Sequence, residues 1–125
     1  MIVLQEIKDL HKTLIELFGG LIGIRDLESL KSAISRPFQT FENKDLYPST
    51  IQKAAALIES IVSNHPFIDG NKRTGYVTMR IFLISNGFDI KASQDEKYQF
   101  VIAIASGKLK LDKINEWLEE HIIEQ

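Results

Sequence analysis

The amino-acid sequence predicts an all-α protein, a compact bundle of about six helices. Three observations favour this class. Apolar residues recur at intervals of three and four along most of the chain. Capping residues precede these segments and glycines follow several of them. One long apolar run, residues 76–84, follows a polar loop. At 125 residues the chain is expected to form one domain, residues 1–125.

Two helices are predicted at the beginning of the chain. Leu4–Phe18 carries apolar residues at helical spacing, and the glycine pair at residues 19–20 ends it. His11 is interpreted as a surface residue of this helix. Asp26 is placed to cap a short second helix, Leu27–Ser35. The residues between the helices are expected to be a connector.

Residues 36–48 have no helical period, and Pro37 and Pro48 bracket them. The segment is expected to be a short β-hairpin or an irregular flap. It is either a surface loop anchored by aromatic residues or a lid over a site. Sequence alone favours the surface loop.

Two long helices should follow. Ser49 and Gln52 form a capping box, which predicts a helix to about Val62. The next helix is expected over residues 71–86. Because its middle is apolar on nearly every side, it is predicted to be buried all round, as the central helix of the bundle.

The last third of the chain should hold two more helices. Residues 88–92 are expected to be briefly extended. Ser93 and Glu96 form a second capping box, which opens the fifth helix. Asp112 is placed to cap the last helix, residues 113–123.

Composition excludes several classes of function. A formal net charge of −2 argues against bulk nucleic-acid binding. The absence of cysteine excludes disulfides and thiolate metal sites. No apolar stretch approaches the roughly 20 residues of a membrane span, and no signal peptide is apparent. We therefore expect a cytoplasmic protein that binds neither membranes nor nucleic acid directly.

The loop before the central helix concentrates residues that can do chemistry. It contains an imidazole, a carboxylate, an amide, two cations and two glycines: His65, Pro66, Phe67, Ile68, Asp69, Gly70, Asn71, Lys72, Arg73, Thr74 and Gly75. The N-terminus of a helix offers free N–H groups and a positive dipole end, which attract anions. Lys72 and Arg73 are unfavourable for the helix itself at that end. The arrangement therefore predicts an anion site, for which a polyphosphate is the natural ligand.

The residue types suit phosphoryl or nucleotidyl transfer. His65 can act as a base, and the nearby cations should keep its ring neutral. Asp69 offers the hard oxygen ligands that Mg²⁺ prefers, and Gly70 lets the backbone approach a phosphate closely. Asn71 can cap the helix or donate to an oxyanion.

The two cations complete the set. Lys72 supplies a point charge, and Arg73 supplies a fork for phosphate oxygens. Each residue also has an ordinary interpretation. The histidine can be a loop residue, Asp69 or Asn71 a helix cap, and the cations a solvated pair. From the residues alone the two interpretations are evenly balanced.

The run from His65 to Arg73 resembles the signature of the Fic/Doc superfamily, and specifically its Doc (death-on-curing) branch. Adenylylating Fic enzymes carry His-Pro-Phe-x-x-Gly-Asn-Gly-Arg. Lys72 stands here where their second glycine would be, as in Doc toxins. Residues 19–26, Leu30 and residues 32–37 resemble the amino-terminal region of Doc proteins.

The resemblance implies a compact helical toxin of a type II toxin–antitoxin pair, acting as a protein kinase. Such toxins move the γ-phosphate of ATP to elongation factor Tu, with Mg²⁺. The implied roles are catalysis by His65 and Lys72, nucleotide or phosphate binding by Gly70, Asn71, Lys72 and Arg73, and metal binding by Asp69. Residues 38–47 fall where the family has its target-docking flap.

Lys72 fills space that a glycine would leave for a phosphate, which favours γ-phosphate transfer over AMP transfer. A Fic-type AMP transferase and a non-catalytic binding module with the same fold remain alternatives. Some Doc members carry an arginine just before the motif histidine. This chain has Ser63 and Asn64 there, so that phosphate contact is expected either to be missing or to be supplied elsewhere, for instance by Arg80 or Lys44.

The sequence lacks the motif with which some Fic proteins restrain themselves, Ser/Thr-x-x-x-Glu-Gly/Asn. Phe38 stands at its first position, ahead of Glu42 and Asn43. Restraint is therefore expected from a separate antitoxin, whose folded segment would lie in a groove of the domain.

Overall fold

Six helices form most of the described chain, residues 2–125 of a computed structural model. The helices are α1 (Leu4–Phe18), α2 (Leu27–Ser35), α3 (Thr50–Asn64), α4 (Asn71–Ser85), α5 (Gln94–Ala105) and α6 (Leu111–His121). Four short strands are β1 (Thr40–Phe41), β2 (Lys44–Asp45), β3 (Phe88–Ile90) and β4 (Ile122–Glu124). They form two separate two-stranded sheets, β1–β2 and β3–β4. The prediction of an all-α bundle with a small hairpin is confirmed.

Side-chain caps begin three of the helices where the sequence predicts them. The Asp26 carboxylate accepts a backbone N–H at the start of α2. Ser49 with Gln52, and Ser93 with Glu96, form reciprocal capping boxes on α3 and α5. Each cap satisfies donors that the first turn would otherwise leave unpaired. Local chemistry therefore determines where these helices begin.

The central helix of the bundle is α3, and the prediction that α4 is buried all round is wrong. More than half of α3 is buried, including three consecutive alanines, residues 54–56. Helix α4 packs against it along one face, and Ile81 and Ile84 on the other face are 48% and 42% exposed. A Cβ atom built on Gly75 of α4 would lie 2.7 Å from Cγ2 of Val62. The small residues let these two helices approach closely, whereas Ile81 and Ile84 on the opposite side of α4 stay partly exposed.

Residues 36–48 form the predicted hairpin after a 3₁₀ turn, Arg36–Phe38. The hairpin turns at Glu42 and Asn43, whose φ angles are 51° and 65°, as tight hairpin turns require. The Arg36 guanidinium donates to the Tyr47 hydroxyl within the segment at 3.0 Å. It also donates to the Glu59 carboxylate of α3 at 2.9 Å, which fastens the segment to the bundle.

The end of the chain differs from the prediction. Helix α6 begins at Leu111, with Lys110 as the N-cap residue and Asp112 in the first turn rather than at the cap. It ends at His121, and residues 122–124 form a strand that pairs antiparallel with β3. The two isoleucines of this strand favour extended backbone, and β3 needs a partner for its polar groups.

None of the helices in the described chain has the combination of length and apolar character that crossing a membrane requires.

Candidate active site

The motif loop, residues 65–70, joins α3 to α4 between two left-handed residues. His65 has φ 49° and ψ 58° at the C-cap of α3, and Gly70 has φ 73° at the N-cap of α4. The N-cap residue of α4 is thus neither Asp69 nor Asn71, and no side chain caps the helix. The N–H groups of its first turn are therefore free of side-chain acceptors, as an anion site requires.

The connector between α1 and α2, residues 19–26, lies directly on the motif loop. Backbone hydrogen bonds join the two segments. The Gly23 carbonyl accepts from Ile68 N at 3.0 Å, and the Pro66 carbonyl accepts from Arg25 N at 2.8 Å and from Asp26 N at 3.0 Å. A β-bridge also pairs Ile24 with Phe67. A Cβ on Gly20 would lie 2.8 Å from the Asp69 carboxylate, and one on Gly23 would lie 2.6 Å from Ile68. The two stretches that carry the resemblance therefore form one structural unit.

The Arg25 side chain holds the backbone at His65. Its Nε donates to the His65 carbonyl and its Nη2 to the Asn64 carbonyl, both at 2.6 Å. These two bonds satisfy carbonyls that the C-terminus of α3 leaves without partners. They also hold His65 in its left-handed conformation, with its side chain exposed.

His11 supports the same loop from α1, and its interpretation as a surface residue is wrong. The residue is 2% exposed, and its ring stacks on Phe67 with centroids 3.9 Å apart and planes 6° apart. Its Nε2 lies 2.8 Å from the Asp69 carbonyl oxygen. Because a carbonyl only accepts, Nε2 carries the proton. The apolar face of α1 includes this position, because the loop folds over it.

The Asp69 carboxylate is exposed and anchored by two backbone donors. Its Oδ2 accepts from Leu21 N at 3.2 Å and its Oδ1 from Gly70 N at 2.9 Å. A carboxylate has about four acceptor sites, so each oxygen keeps capacity for a cation. Carboxylate oxygens are ligands that Mg²⁺ prefers, and the metal role of Asp69 stays a prediction. No group of three or more histidine, aspartate or glutamate residues within the chain from residue 2 onward is arranged to hold a metal ion.

The Asn71 side chain stabilises the motif loop through two hydrogen bonds to the backbone of Phe67. Its amide oxygen accepts from Phe67 N and its amide nitrogen donates to the Phe67 carbonyl, both at 2.9 Å. The residue is 9% exposed. One amide N–H remains for the predicted contact with a phosphate.

A cavity of about 410 Å³ opens at the N-terminus of α4. On the loop side it is lined by all the residues predicted to bind phosphate or metal: Asp69, Gly70, Asn71, Lys72 and Arg73. The tip of α4 therefore has room for a phosphate. His65 is exposed and is not among the lining residues.

Three cations line this cavity against one carboxylate. Lys72 and Arg73 are exposed, and the Arg73 guanidinium lies 4.2 Å from the centroid of the Phe18 ring. Lys97 of α5 is the third cation. Among residues 2–125, none of the three lies within 4.0 Å of a carboxylate. The cavity therefore carries uncompensated positive charge.

The fold does not place Arg80 or Lys44, the two residues named as possible sources of that phosphate contact, at the cavity. Arg80 forms a two-pronged pair with Asp89 at 2.8 and 3.0 Å, and neither cation lines the cavity. Lys97 lies there instead. Tyr76 also lines the cavity, and its buried hydroxyl has no hydrogen-bond partner in the part of the chain that the structure describes. Burial raises the pKa of this hydroxyl.

The α5 side of the cavity was not predicted from the sequence. Its lining residues are Gln94, Lys97, Tyr98, Val101 and Ile102. Their spacing of three, four, seven and eight residues from the first places them on one helical face. The spacing alone predicts a helical face on which a cation and an aromatic residue lie among apolar residues. It does not predict that this face lies opposite the motif loop.

Comparisons of the sequence with known proteins identify the family. A family model described as the Fic/DOC family matches residues 2–83. The chain is 42% identical over 78 residues to a protein of Mycolicibacterium smegmatis named Toxin Doc. The match covers 62% of this chain and 60% of that relative, so the chain spans about three fifths of its relative's length. The region that the family model matches contains the connector, the hairpin, the motif loop and most of α4. By these matches the chain belongs to the Fic/DOC family, on its Doc branch.

Proposed function

We propose that this protein is a Doc-like toxin that transfers the γ-phosphate of ATP to a hydroxyl group of a protein. Elongation factor Tu is the substrate that the resemblance implies. The observation that carries the proposal is the cavity at the uncapped N-terminus of α4, where three cations face one carboxylate. Positive charge without protein partners in such a cavity favours a polyphosphate ligand.

In this proposal the motif loop holds the phosphates. The N–H groups of the first turn of α4, with Lys72 and Arg73, donate to phosphate oxygens. Asp69 holds Mg²⁺, which neutralises phosphate charge when bound. Lys72 stabilises the negative charge of the phosphoryl group as it moves.

His65 acts on the protein substrate. It accepts the proton of the target hydroxyl as that oxygen forms a bond to the γ-phosphorus. The bond from the γ-phosphorus to the bridging oxygen breaks, and ADP leaves. The proton then passes from the imidazole to solvent. Because His65 is exposed and does not line the cavity, the base faces the incoming protein while the cavity takes the nucleotide.

The hairpin is proposed to receive the target protein. Its residues Phe41 and Leu46 are 67% and 50% exposed, although both are large and apolar. Such residues are typical of contact surfaces when they lie together. In this proposal the hairpin is a surface loop, and its exposed apolar side chains also form part of the contact with the target protein.

An antitoxin is the proposed partner that restrains the toxin, as the name of the curated relative suggests. A second groove, of about 240 Å³, lies between α1 and the C-terminal half of α4. Thr78 lines it with a buried hydroxyl that has no partner among residues 2–125, and Ile81 lines it while 48% exposed. A folded antitoxin segment would bury this side of α4. Co-purification with the product of a neighbouring gene tests the pairing, and failure of every such product to bind would refute it.

Labelled ATP tests the reaction. The protein is incubated with Mg²⁺, purified elongation factor Tu and ATP labelled at either the γ- or the α-phosphate, and the target is analysed by mass spectrometry. We expect γ-label and a mass increase of one phosphate, which His65→Ala abolishes. Ser63→Ala, an exposed position next to the motif, is the matched control and should retain activity.

The other outcomes identify the alternatives. Transfer of α-label would show an AMP transferase and contradict the kinase proposal. Absence of both labels on any protein of a cell lysate, with growth arrest unchanged in His65→Ala, would show a non-catalytic binding module.

A further inference from the structure

We propose that Phe18 is a positioning residue for the phosphate site, whose ring holds the Arg73 guanidinium at the cavity without neutralising its charge. This inference rests on the proposed function, in which Arg73 donates to phosphate oxygens. It adds to the phosphate site a residue at the end of α1, outside the motif.

The Phe18 ring and the Arg73 cation are in direct contact. The Cζ atom of Arg73 lies over the ring, 4.2 Å from its centroid. This is well within the roughly 6 Å over which the face of an aromatic ring attracts a guanidinium. Arg73 forms no ion pair within residues 2–125. The ring therefore attracts this cation where no carboxylate of the described chain does.

The backbone around Phe18 fixes the position of the ring. Helix α1 ends at Phe18, and Gly19 follows it with a positive φ of 89°. The N–H of Leu21 then donates to the Asp69 carboxylate at 3.2 Å. Arg73 lies four residues after Asp69, in the first turn of α4. The ring and the cation therefore belong to two segments that are hydrogen-bonded to each other.

An aromatic ring suits a cation that has to bind a phosphate. A carboxylate would neutralise the guanidinium and would occupy the N–H groups that phosphate oxygens need. A ring face attracts the cation through its quadrupole but carries no formal charge. The attraction also offsets part of the unfavourable interaction between Arg73 and the positive end of α4. Phe18 thus holds the cation and leaves the positive charge of the cavity uncompensated.

The contact also prepares the Arg73 side chain for binding. A long exposed side chain loses rotamer freedom when a ligand orders it, and this loss weakens binding. A guanidinium that already lies over a ring has lost part of that freedom before the ligand arrives. Lys72, the other motif cation, lies over no aromatic ring within residues 2–125. The effect of Phe18 should therefore act through Arg73.

A role of Phe18 at the site can be separated from a role in folding. The residue is 61% exposed, and it belongs to none of the buried hydrophobic clusters of the described chain. Replacement of an exposed ring removes little buried apolar surface. The midpoint of urea unfolding should therefore change little in Phe18→Leu, which keeps the apolar character and removes the ring.

Calorimetric titrations with Mg²⁺-ATP and with inorganic tripolyphosphate test the effect on binding. For Phe18→Leu we expect both affinities to fall about 2- to 5-fold, the range of a cation–π contact at an exposed site. Phe18→Tyr keeps the ring face and should keep both affinities. Leu17→Ala is the matched control, because Leu17 is an adjacent apolar residue that is 69% exposed, and it should bind both ligands as the unaltered protein does.

Nuclear magnetic resonance tests the cause in the free protein. The ring current of Phe18 should shift the side-chain proton resonances of Arg73, because the guanidinium lies over the ring. This shift should disappear in Phe18→Leu and remain in Phe18→Tyr, in parallel with the two affinities. A residue with a purely structural role would not produce this parallel.

The outcomes separate this inference from the function on which it rests. Three results would overturn the role of Phe18 while phosphate binding stood: undiminished affinities in Phe18→Leu, equal losses in Phe18→Leu and Phe18→Tyr, or Arg73 resonances that do not respond to Phe18→Leu. Failure of the unaltered protein to bind either ligand would overturn the proposed function as well.

Discussion

The imidazole Nε2 of His11 donates to the backbone carbonyl oxygen of Asp69 over 2.8 Å. This bond crosses from α1 to the motif loop and places a buried ring under the candidate active site. The Arg25 side chain secures the other end of the same loop, at His65. The loop is therefore supported by two residues that contact neither cavity nor substrate in our proposal.

His11→Ala should destabilise the protein. The substitution removes a buried ring and the partner of the Asp69 carbonyl, which together are worth about 2–4 kcal/mol in the free energy of unfolding. Urea unfolding measures this loss. Lys12→Ala, on the exposed side of the same helix, is the control and should change little. An unaltered urea midpoint for His11→Ala would contradict the role of this ring.

Arg25→Ala should slow transfer without weakening ATP binding. The change frees the carbonyls of Asn64 and His65, so the backbone that carries the proposed base loses its support. We expect kcat to fall about tenfold, which corresponds to about 1.4 kcal/mol, with KM for ATP unchanged. Arg25→Lys should restore little, because lysine lacks the two-pronged geometry. A rise in KM with constant kcat would show instead that Arg25 acts on the nucleotide.

Gly75→Ala should destabilise the contact between α3 and α4. The added methyl group would lie 2.7 Å from Cγ2 of Val62, and such overpacking costs about 1–3 kcal/mol. A double-mutant cycle with Val62→Ala checks the cause, because the smaller side chain makes room for the methyl group. The two losses should then be clearly less than additive. Strict additivity would mean that another contact is responsible.

We expect the ionised Asp89 carboxylate to stabilise the folded protein, and this contribution to the free energy of unfolding should be lost in acid. Hydrogen bonds from Arg80, followed by one from the Ile90 N–H, hold the pKa of this carboxyl at about 2, below its usual 3.8. A lowered pKa in the folded state means that the contribution is complete above about pH 4 and is lost as the pH falls toward about 2.

The substitution Asp89→Asn tests this at both ends of the range. At neutral pH it should lower the free energy of unfolding by about 1 kcal/mol, a modest figure because Arg80 is 45% exposed and solvent screens the pair. The difference from the unaltered protein should vanish as the pH falls to about 2. Glu116→Gln, in an exposed pair, should leave the pH profile unchanged. A gap that persists in acid would contradict the assignment.

Local signals predicted most of the helices. The bounds of α1 and α2 were correct to the residue, because helical spacing, Asp26 and the glycine pair act within a few residues. The capping boxes at Ser49 and Ser93 predicted correctly where α3 and α5 begin, whereas α3 ends at Asn64 rather than at about Val62. The strand at residues 122–124 was missed, because its reason to be extended is the distant strand β3.

Burial was predicted less well, for a related reason. The apolar composition of α4 suggested enclosure on all sides, but composition does not say which faces other elements cover. His11 shows the opposite error. A single polar residue in an amphipathic helix is an ordinary surface residue until a loop from elsewhere in the chain packs over it.

The sequence alone determined the helical class, most of the helix starts and the chemistry concentrated in residues 65–75, because caps, periodicity and residue types are local properties. Only the tertiary structure decided that the connector packs on the motif loop, that α5 lines one side of the cavity and that His65 lies outside the cavity lining. Those relationships join residues far apart in the chain, and they follow from how the helices pack rather than from any pattern within one segment.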